Sequence, residues 1–495
     1  MRTTGVIIVV AGLAATATCA EFSTQPFKAA TISAVGWPTE LHVSDSDTLE
    51  IRVRLDDSTD IAGLRVRWEA ANPAILSVAA LTPPANASRE DTLVLQRRAI
   101  VRGLRGGIDT VRVTIEGNAF AHQDFSRVIV VSQKWISVSV GDQHTCGVTV
   151  DSLAFCWGAG GAGALGNARA VNTLIPAPVV SFGQVKFVAV AASDFGTCGL
   201  SSDAVGYCWG SGLKGRLGNN DASENNQYTP GVISGGAAFQ SLSGGARVNC
   251  GVKPTKEVLC WGDDNFYQLG SVGPPPLDTC SDGVFCMRTP RRVDRPLDQA
   301  SSVDVGGSHV CAIATGASVG AFCWGYSLNF ALGAGATTQS FVPLAVSGGS
   351  AFVAISAGGE HTCALTATGA AQCWGLGTQG QLGNGGTSTS MTPVPVSTST
   401  AFQSISAGGN HTCALALNGT AYCWGRAVDG QLGTGSATQV NAPTVVQGGL
   451  RFSSVSAGVF HTCGVTVDGS MYCWGSGPGA GSATTLTTPK RMSEP

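Results

Sequence analysis

The chain has 495 residues, too many for one hydrophobic core, which predicts two or more domains. Only 12% of the residues are charged and the net charge is −3, so the dense positive surface that nucleic-acid binding requires is absent. The 67 glycines suit short strands joined by tight turns. One basic run, Arg288 to Arg295, is interrupted by proline and aspartate, and we interpret it as a solvated loop.

Residues 1–20 resemble an export signal. Arg2 precedes an apolar stretch from Val6 to Ala15, which is too short to span a bilayer, and small residues follow. Two maturation routes are open: cleavage by an ordinary signal peptidase, or acylation of Cys19 as the first residue of a lipoprotein. Either route predicts a protein outside the cytoplasm, with membrane contact only through a lipid anchor.

Residues 21–30 are predicted to be a linker, and residues 31–132 to form a β-sandwich. The pattern within 31–132 alternates with a period of two, as in half-buried strands. Six strands are predicted, at Leu49–Leu55, Val66–Trp68, Ile75–Val78, Ala99–Val101, Thr110–Ile115 and Val128–Val131.

Part of this segment resembles bacterial immunoglobulin-like domains. The resemblance is carried by Val66–Trp68, Asn72–Val78, Val101–Leu104 and Gly107–Val113. It implies a spacer or an adhesive module at a cell surface, and we favour the spacer.

Residues 133–495 are organised by an internal repeat. The tripeptide Cys-Trp-Gly recurs seven times, about 50 residues apart, a period typical of repeat architectures. A second cysteine precedes it by ten residues in six repeats and by twelve in the fourth, and a Leu-Gly pair follows in six.

The sixth repeat predicts four short strands. They are Phe402–Ile405, His411–Ala416, Tyr422–Trp424 and Pro443–Val446, with a hairpin turn at Asn418 and a left-handed Gly419. This register places the two cysteines of a repeat directly opposite each other. Four strands repeated seven times predict a seven-bladed β-propeller, in which radial closure hides the sheet edges.

The repeat resembles that of the regulator-of-chromosome-condensation family. The shared pattern is Gly-Gly-x-His-Thr-x-Ala-Leu, then Gly, Trp-Gly and Gly-Gln-Leu-Gly, seen best at Gly408–Leu415 and Gly430–Gly433. The family implies a seven-bladed propeller. Gly196 and Val248 replace histidine in repeats two and three, and repeat seven lacks Leu-Gly.

Cysteine parity predicts disulfides and an oxidising compartment. Of seventeen cysteines, fourteen form the repeat pairs, two share one insertion, and Cys19 remains in the signal region. Zinc half-sites are the alternative, but they would need thiolates pointing to a common centre. The predicted disulfides are Cys146–Cys156, Cys198–Cys208, Cys250–Cys260, Cys280–Cys286, Cys311–Cys323, Cys363–Cys373, Cys413–Cys423 and Cys463–Cys473.

No catalytic, cofactor-binding or metal-binding residues are predicted. Five histidines occupy the same repeat position, which keeps them apart, so we expect buried rings hydrogen-bonded to a neighbouring turn: His144, His309, His361, His411 and His461. The seven tryptophans of Cys-Trp-Gly are expected in the core. The chain has no P-loop, nucleophile elbow or dinucleotide fingerprint.

The sharpest candidate site lies where repeats three and four break the consensus. The segment between Trp-Gly and Leu-Gly is small and glycine-rich in most repeats, whereas here it carries acidic and aromatic residues. The candidates are Asp263, Asp264, Phe266, Tyr267, Tyr326 and Phe330. Aromatic gap-filling is the alternative role.

Two functions remain in view. The favoured one is an exported, monomeric, non-enzymatic scaffold whose propeller face binds a protein or a glycan; by resemblance, secreted propellers of this kind include enzyme inhibitors. The alternative is guanine-nucleotide exchange on a small GTPase, the activity of the family's nuclear founder. Export and oxidised thiols disfavour it.

Overall fold

The protein is described from a computed structural model. The structure describes residues 7–8, 30–35, 38, 40–42, 45–55, 65–81, 94–103, 107–117, 120–181, 185–236, 238–271, 278–281, 283–316, 319–348 and 351–493. The predicted lipidation site Cys19 and most of the signal segment lie outside these residues. The chain divides into two compact units, 1–134 and 135–495.

Unit 1 contains nine strands in its described residues. They are β1 (Ile7–Ile8), β2 (Ala30–Val35), β3 (Glu40–His42), β4 (Ser46–Leu55), β5 (Arg65–Ala70), β6 (Leu76–Ala80), β7 (Val94–Gly103), β8 (Gly107–Gly117) and β9 (Phe120–Ser132). One sheet has the order β1-β2-β4-β7-β6 and the other β3-β9-β8-β5. All pairings are antiparallel except β3 with β9.

The core of unit 1 follows from alternation along its strands. Leu49, Ala99, Val101, Val111 and Val113 are fully buried, as expected where every second side chain of a strand faces a core. All six strands predicted for residues 31–132 are confirmed, and most extend beyond the predicted bounds.

Unit 2 contains seven successive antiparallel sheets in its described residues. Sheet 1 comprises β10 (Trp135–Val140), β11 (His144–Thr149), β12 (Ala154–Gly158) and β13 (Thr173–Pro178); sheet 2, β14 (Phe187–Ala192), β15 (Gly196–Ser201), β16 (Gly206–Gly210) and β17 (Gln227–Val232); sheet 3, β18 (Ser241–Gly244), β19 (Val248–Val252), β20 (Val258–Asp263), β21 (Asp278–Thr279) and β22 (Phe285–Arg292); sheet 4, β23 (Gln299–Val305), β24 (His309–Thr315), β25 (Gly320–Tyr326) and β26 (Gln339–Ala345). Sheet 5 comprises β27 (Phe352–Ala357), β28 (His361–Thr366), β29 (Ala371–Gly375) and β30 (Ser390–Pro395); sheet 6, β31 (Phe402–Ala407), β32 (His411–Ala416), β33 (Ala421–Gly425) and β34 (Val440–Val445); sheet 7, β35 (Phe452–Ala457), β36 (His461–Thr466), β37 (Met471–Gly475) and β38 (Leu486–Arg491). Two 3-10 turns lie at Leu213–Gly215 and Pro478–Ala480.

Each sheet has the register that the sequence predicted. In sheet 6, Cys413 lies opposite Cys423 and Gly419 has φ +79°. The seven repeat pairs form disulfides with Cα–Cα distances of 4.1 Å, and Cys280–Cys286 forms an eighth at 6.0 Å.

The fourth long strand of every sheet contains a proline. It stands one residue before the partner of the second repeat cysteine: Pro176, Pro230, Pro290, Pro343, Pro393, Pro443 and Pro489. Because proline offers no N–H, it limits further pairing at the rim.

Sheet 7 contacts sheet 1, so the series closes. The Val140 amide donates to Ser456 Oγ at 3.0 Å, and the Trp135 amide to the Gly469 carbonyl at 2.9 Å. Trp135 and Met492 share one buried cluster. The core of unit 2 therefore lies between neighbouring sheets all around the series.

The basic run departs from its prediction. Arg288 to Arg292 lie on β22 and not in a solvated loop. Arg288 pairs with Glu224 and Asp278, and Arg292 with Glu257. In the described part of the chain, no helix has the length and apolar character needed to cross a membrane.

Candidate functional site

Neighbouring sheets of unit 2 are joined by a repeated polar contact. The indole N–H of each core tryptophan donates to a backbone carbonyl of the preceding sheet at 2.8–3.0 Å; the pairs are Trp209–Ala164, Trp261–Arg216, Trp324–Gln268, Trp374–Ala331, Trp424–Gln381, Trp474–Gln431 and Trp157–Gly479. The tryptophans are therefore both core and hydrogen-bonded, as a buried indole requires.

We call the contact region between two neighbouring sheets a joint. Five of the seven joints also contain a histidine–threonine pair. The Nε2 atom of each histidine lies 2.7–2.9 Å from a threonine Oγ1 of the next sheet: His144–Thr197, His309–Thr362, His361–Thr412, His411–Thr462 and His461–Thr145. Burial of these rings is confirmed. Their partner is a strand threonine and not the turn that was predicted.

The threonine fixes which ring nitrogen carries the proton. Thr462 Oγ1 donates its proton to the Gln431 carbonyl at 2.9 Å, so His411 Nε2 must be the donor to Thr462. The Nδ1 atoms of His361, His411 and His461 are buried without a partner. Burial accordingly lowers the pKa of these three rings to about 3, and that of His144 and His309 to about 4.

A glycine makes room for the ring. A Cβ on Gly358 would lie 2.6 Å from Cε1 of His361, and one on Gly408 2.7 Å from that of His411. In sheet 2, Gly196 occupies the position of the histidine and Ser193 that of the glycine. The Ser193 Oγ donates to the Gly196 carbonyl at 2.8 Å. The two positions have therefore changed together.

The two joints that follow sheets 2 and 3 lack the histidine pair. Val248 and Val310 stand in place of histidine and threonine between sheets 3 and 4, and both are fully buried in one cluster. Between sheets 2 and 3, Asn249 replaces threonine. Its amide donates to the Arg216 carbonyl at 2.8 Å, while its Oδ1 is buried without a partner.

Arg216 occupies the position that Gln381 holds in the regular repeat. Gln381 folds back to accept a hydrogen bond from the Gln379 amide at 2.9 Å. Arginine has no acceptor for that role, and its guanidinium instead lies 4.8 Å from the centroid of the Phe195 ring. Its Nε is buried without a hydrogen-bond partner, and burial lowers its pKa.

The predicted residues Asp263 and Asp264 lie beneath the surface. Asp263 is fully buried and pairs with Arg247 at 3.1 Å and Lys214 at 3.4 Å. Asp264 is also buried and accepts from the Leu269 amide at 3.1 Å, and burial raises its pKa to about 6. Both carboxylates are therefore held by the fold, where direct contact with a partner is blocked.

The structure brings some of the predicted aromatic residues together. The Phe266 and Tyr326 rings have centroids 5.4 Å apart, and the Arg247 guanidinium lies 4.5 Å from the Phe266 centroid. The Tyr267 ring packs instead on the Phe341 ring, with the two centroids 3.9 Å apart. Tyr267 and Phe330 both have positive φ, +61° and +64°, and both are half-buried.

These contacts define an arginine–aromatic patch, comprising Phe195, Arg216, Arg247, Phe266 and Tyr326. Asp194 and Arg247 also line a cavity of about 620 Å³, which is ringed by the turns between the first two strands of the sheets. Burial, aided by Asp142, raises the pKa of Asp194 to about 6 against the opposing effect of Arg216 and Arg247.

Sequence reasoning missed Asp194, Phe195, Arg216 and Arg247. Each occupies a repeat position that holds glycine, a variable residue or glutamine elsewhere, so departure from the repeat was the available signal. One cluster of metal-ligating types occurs in the described residues, at Glu224, Cys280 and Cys286. Its two thiols form a disulfide, which leaves no metal-binding thiolate there.

Comparison with known families supports the repeat assignment. The regulator of chromosome condensation (RCC1) repeat matches residues 151–200, 320–365, 369–415 and 418–465, and a second description of that repeat matches 352–381 and 402–431. Within these ranges, the chain thus matches the RCC1 repeat.

Similar proteins agree with this assignment. The human E3 ubiquitin-protein ligase HERC2 is 28% identical over 48% of this chain and 5% of its own length. The Arabidopsis thaliana ultraviolet-B receptor UVR8 is 30% identical over 42% of this chain and 44% of its own. The chain therefore spans less than half of either relative.

A solved structure shows the fold. Yeast RCC1, crystallised bound to Kap60, superposes with a TM-score of 0.60 at 23% identity, covering 70% of this chain and 84% of that one. The predicted all-β class is confirmed, and the fold is similar to that of the RCC1 propeller.

Proposed function

We propose that the protein is an exported, non-enzymatic binding scaffold that captures a protein partner through the arginine–aromatic patch. The observation that carries this proposal is the patch itself. Aromatic and arginine side chains are concentrated there, at the two joints that lack the histidine–threonine pair. Tyrosine and arginine are among the residues that most often dominate binding energy at protein interfaces.

A protein partner is favoured over a glycan because of the ring contacts. A sugar stacks on an open aromatic face, whereas guanidinium groups lie against Phe195 and Phe266. Leu213, on the same connecting loop as Arg216, is 50% exposed, and Leu328, two residues after Tyr326, is 67% exposed. An apolar surround of this kind excludes water from a protein interface.

The architecture proposed for this function has three parts. The seven sheets would be seven blades of a closed propeller, unit 1 an immunoglobulin-like spacer, and residues 1–20 an export signal with cleavage or Cys19 acylation as its outcome. Eight cystine pairs support an oxidising compartment. Alkylation of the native protein without prior reduction should label at most Cys19, and labelling of repeat cysteines would contradict export.

Guanine-nucleotide exchange and enzymatic activity are the competing functions. Exchange requires a reducing compartment, in which eight disulfides would not persist. HERC2 is named as a ligase, but the matched region is a twentieth of that protein.

Site-specific photo-cross-linking tests the proposal. A benzophenone amino acid at Leu328, beside the patch, should cross-link one defined protein in the native envelope or medium. The same probe at Leu417, which is 72% exposed on the hairpin turn of sheet 6, is the matched control and should not.

The double variant Phe266→Ala/Tyr326→Ala should then abolish the Leu328 adduct without lowering the melting temperature below that of a Val428→Ala control. Val428 is 60% exposed on the equivalent loop of sheet 6. Equal cross-linking at both positions, or an adduct that survives the double substitution, would rule out the patch.

A further inference from the structure

The joint between sheets 2 and 3 contains Arg216, whose side chain has a buried Nε without a hydrogen-bond partner. Among the described residues, no carboxylate forms an ion pair with Arg216, and its buried Nε donates to nothing. A buried donor without a partner destabilises a protein. Such an atom therefore calls for an explanation.

Arg216 is also held firmly in place. Its carbonyl accepts hydrogen bonds from Asn249 Nδ2 at 2.8 Å and Trp261 Nε1 at 3.0 Å. Phe195 supports one side of the guanidinium. The two hydrogen bonds fix the backbone, and the ring contact restricts the guanidinium fork, which is thereby pre-organised for an acceptor of matching geometry.

The surrounding charges favour an anion. Lys214 and Arg247 both pair with the carboxylate of Asp263. That carboxylate also favours the charged form of Arg216, while the nearby charge of Arg247 opposes it. A bound anion would relieve the repulsion between the two guanidinium groups. Asp194 lies within electrostatic reach but does not pair with Arg216, so it opposes an incoming anion.

We propose that Arg216, backed by Phe195, is a carboxylate-binding site that receives an aspartate or glutamate side chain of the protein partner. This inference rests on the proposed function and names the group that the patch recognises. Guanidinium and carboxylate match as a bidentate pair, which adds orientation to affinity. The neighbouring apolar side chains strengthen such a contact by excluding water.

The Nε–Hε resonance of Arg216 reports on the contact directly. The full chain, labelled with ¹⁵N-arginine and assigned by its loss in Arg216→Gln, is titrated with N-acetyl-glutamate amide. The resonance should shift and saturate with a dissociation constant on the order of 1–10 mM, as expected for one isolated group. The neutral N-acetyl-glutamine amide should leave the resonance unchanged.

Three further measurements separate the alternatives. The resonance of Arg169, which is exposed on a loop of sheet 1, should not move. Asp194→Asn removes the opposing charge and should tighten binding at least ~2-fold. Glucuronate should bind more weakly than the glutamate probe; equal or tighter binding would assign the site to acidic glycans instead.

The inference fails if the Arg216 resonance ignores the glutamate probe or responds equally to the glutamine probe. That failure is distinct from failure of the proposed function, because the probe needs no partner. Cross-linking at Leu328 could persist without carboxylate binding. Conversely, a saturable shift with no cross-link would retain the carboxylate site and reject the protein-binding scaffold.

Discussion

Sheets 5–7 and sheets 2–3 are built from the same repeat but solve the contact between neighbours differently. In sheets 5–7, each joint buries a neutral histidine against a threonine and keeps glycines beneath the ring. After sheets 2 and 3, the joints use Asn249 or a pair of valines, and charged side chains appear above them. The ring of tryptophan–carbonyl bonds is common to both regions. The scaffold thus tolerates loss of the histidine pair where that ring remains, and the released positions are available for recognition.

The tryptophan–carbonyl hydrogen bonds should be equally important in both regions. Trp424→Ala and Trp261→Ala each remove a fully buried indole and its bond to the preceding sheet. Each should lower the free energy of unfolding by about 3–5 kcal/mol, measured by urea denaturation. A much smaller loss of unfolding free energy for Trp261→Ala would show that the joint between sheets 2 and 3 does not depend on its tryptophan–carbonyl bond.

Acid should weaken the regular region more than the irregular one. The five histidines have folded pKa values of about 3 to 4, below the unfolded value of about 6.5. The unfolded chain therefore binds more protons, and their stabilisation, complete above pH 6.5, is lost as the pH falls toward 4. Asp194 and Asp264, with pKa values raised to about 6, act in the opposite sense: their stabilisation is present below about pH 4 and lost as pH rises through 6.

Single substitutions should separate these two effects. His411→Gln should reduce the pH dependence of the unfolding free energy between pH 6 and 4 by up to about 1.4 kcal/mol per pH unit. Asp194→Asn should increase it. Urea midpoints at pH 7, 6, 5 and 4 provide the test, and unchanged slopes in both variants would contradict it.

The valine joint suggests that a histidine pair can be replaced as a unit. His411→Val and Thr462→Val should each cost about 1–3 kcal/mol, because each leaves a buried polar partner. The double variant, which copies Val248 and Val310, should cost less than the sum by roughly 0.5–3 kcal/mol. Additive losses in a double-mutant cycle would mean that the two regions are not interchangeable in this respect.

The smallest expected effect is that of Arg216→Gln. Glutamine is the residue of the regular repeat at this position and the substitution removes an unpaired buried donor, so the free energy of unfolding should not fall by more than about 0.5 kcal/mol. The response to N-acetyl-glutamate amide should nevertheless disappear. A large loss of stability would show that Arg216 serves the fold and not a ligand.

Much of the fold could be predicted because it depends on local pattern. The cysteine spacing about Asn418 set the hairpin register, and the opposite placement of Cys413 and Cys423 is confirmed. Burial of the five histidines followed from their shared repeat position. Their threonine partners were missed because they belong to the next sheet, about 50 residues along the chain.

The candidate site was predicted only in part, for a related reason. The aromatic character of Phe266 and Tyr326 is visible in the sequence, and the structure places their ring centroids 5.4 Å apart. Whether an acidic residue faces solvent is not visible, and Asp263 proved to be neutralised inside the fold by Lys214 and Arg247. The contact of Arg216 with Phe195 arises from a turn that only the folded sheet brings near.

Each sheet of unit 2 is made from one continuous stretch of chain, including the first and the last. Closure depends on side-chain and backbone contacts between sheets 7 and 1, and no described strand of one sheet pairs with a strand of the other. Trp135 and Met492, at the two ends of the series, already pack in one cluster. A circular permutant of unit 2 that joins these ends and opens at the exposed Thr398–Ser399 connection would keep every strand pairing. The strand pairing of unit 2 therefore does not depend on the point at which its chain is opened.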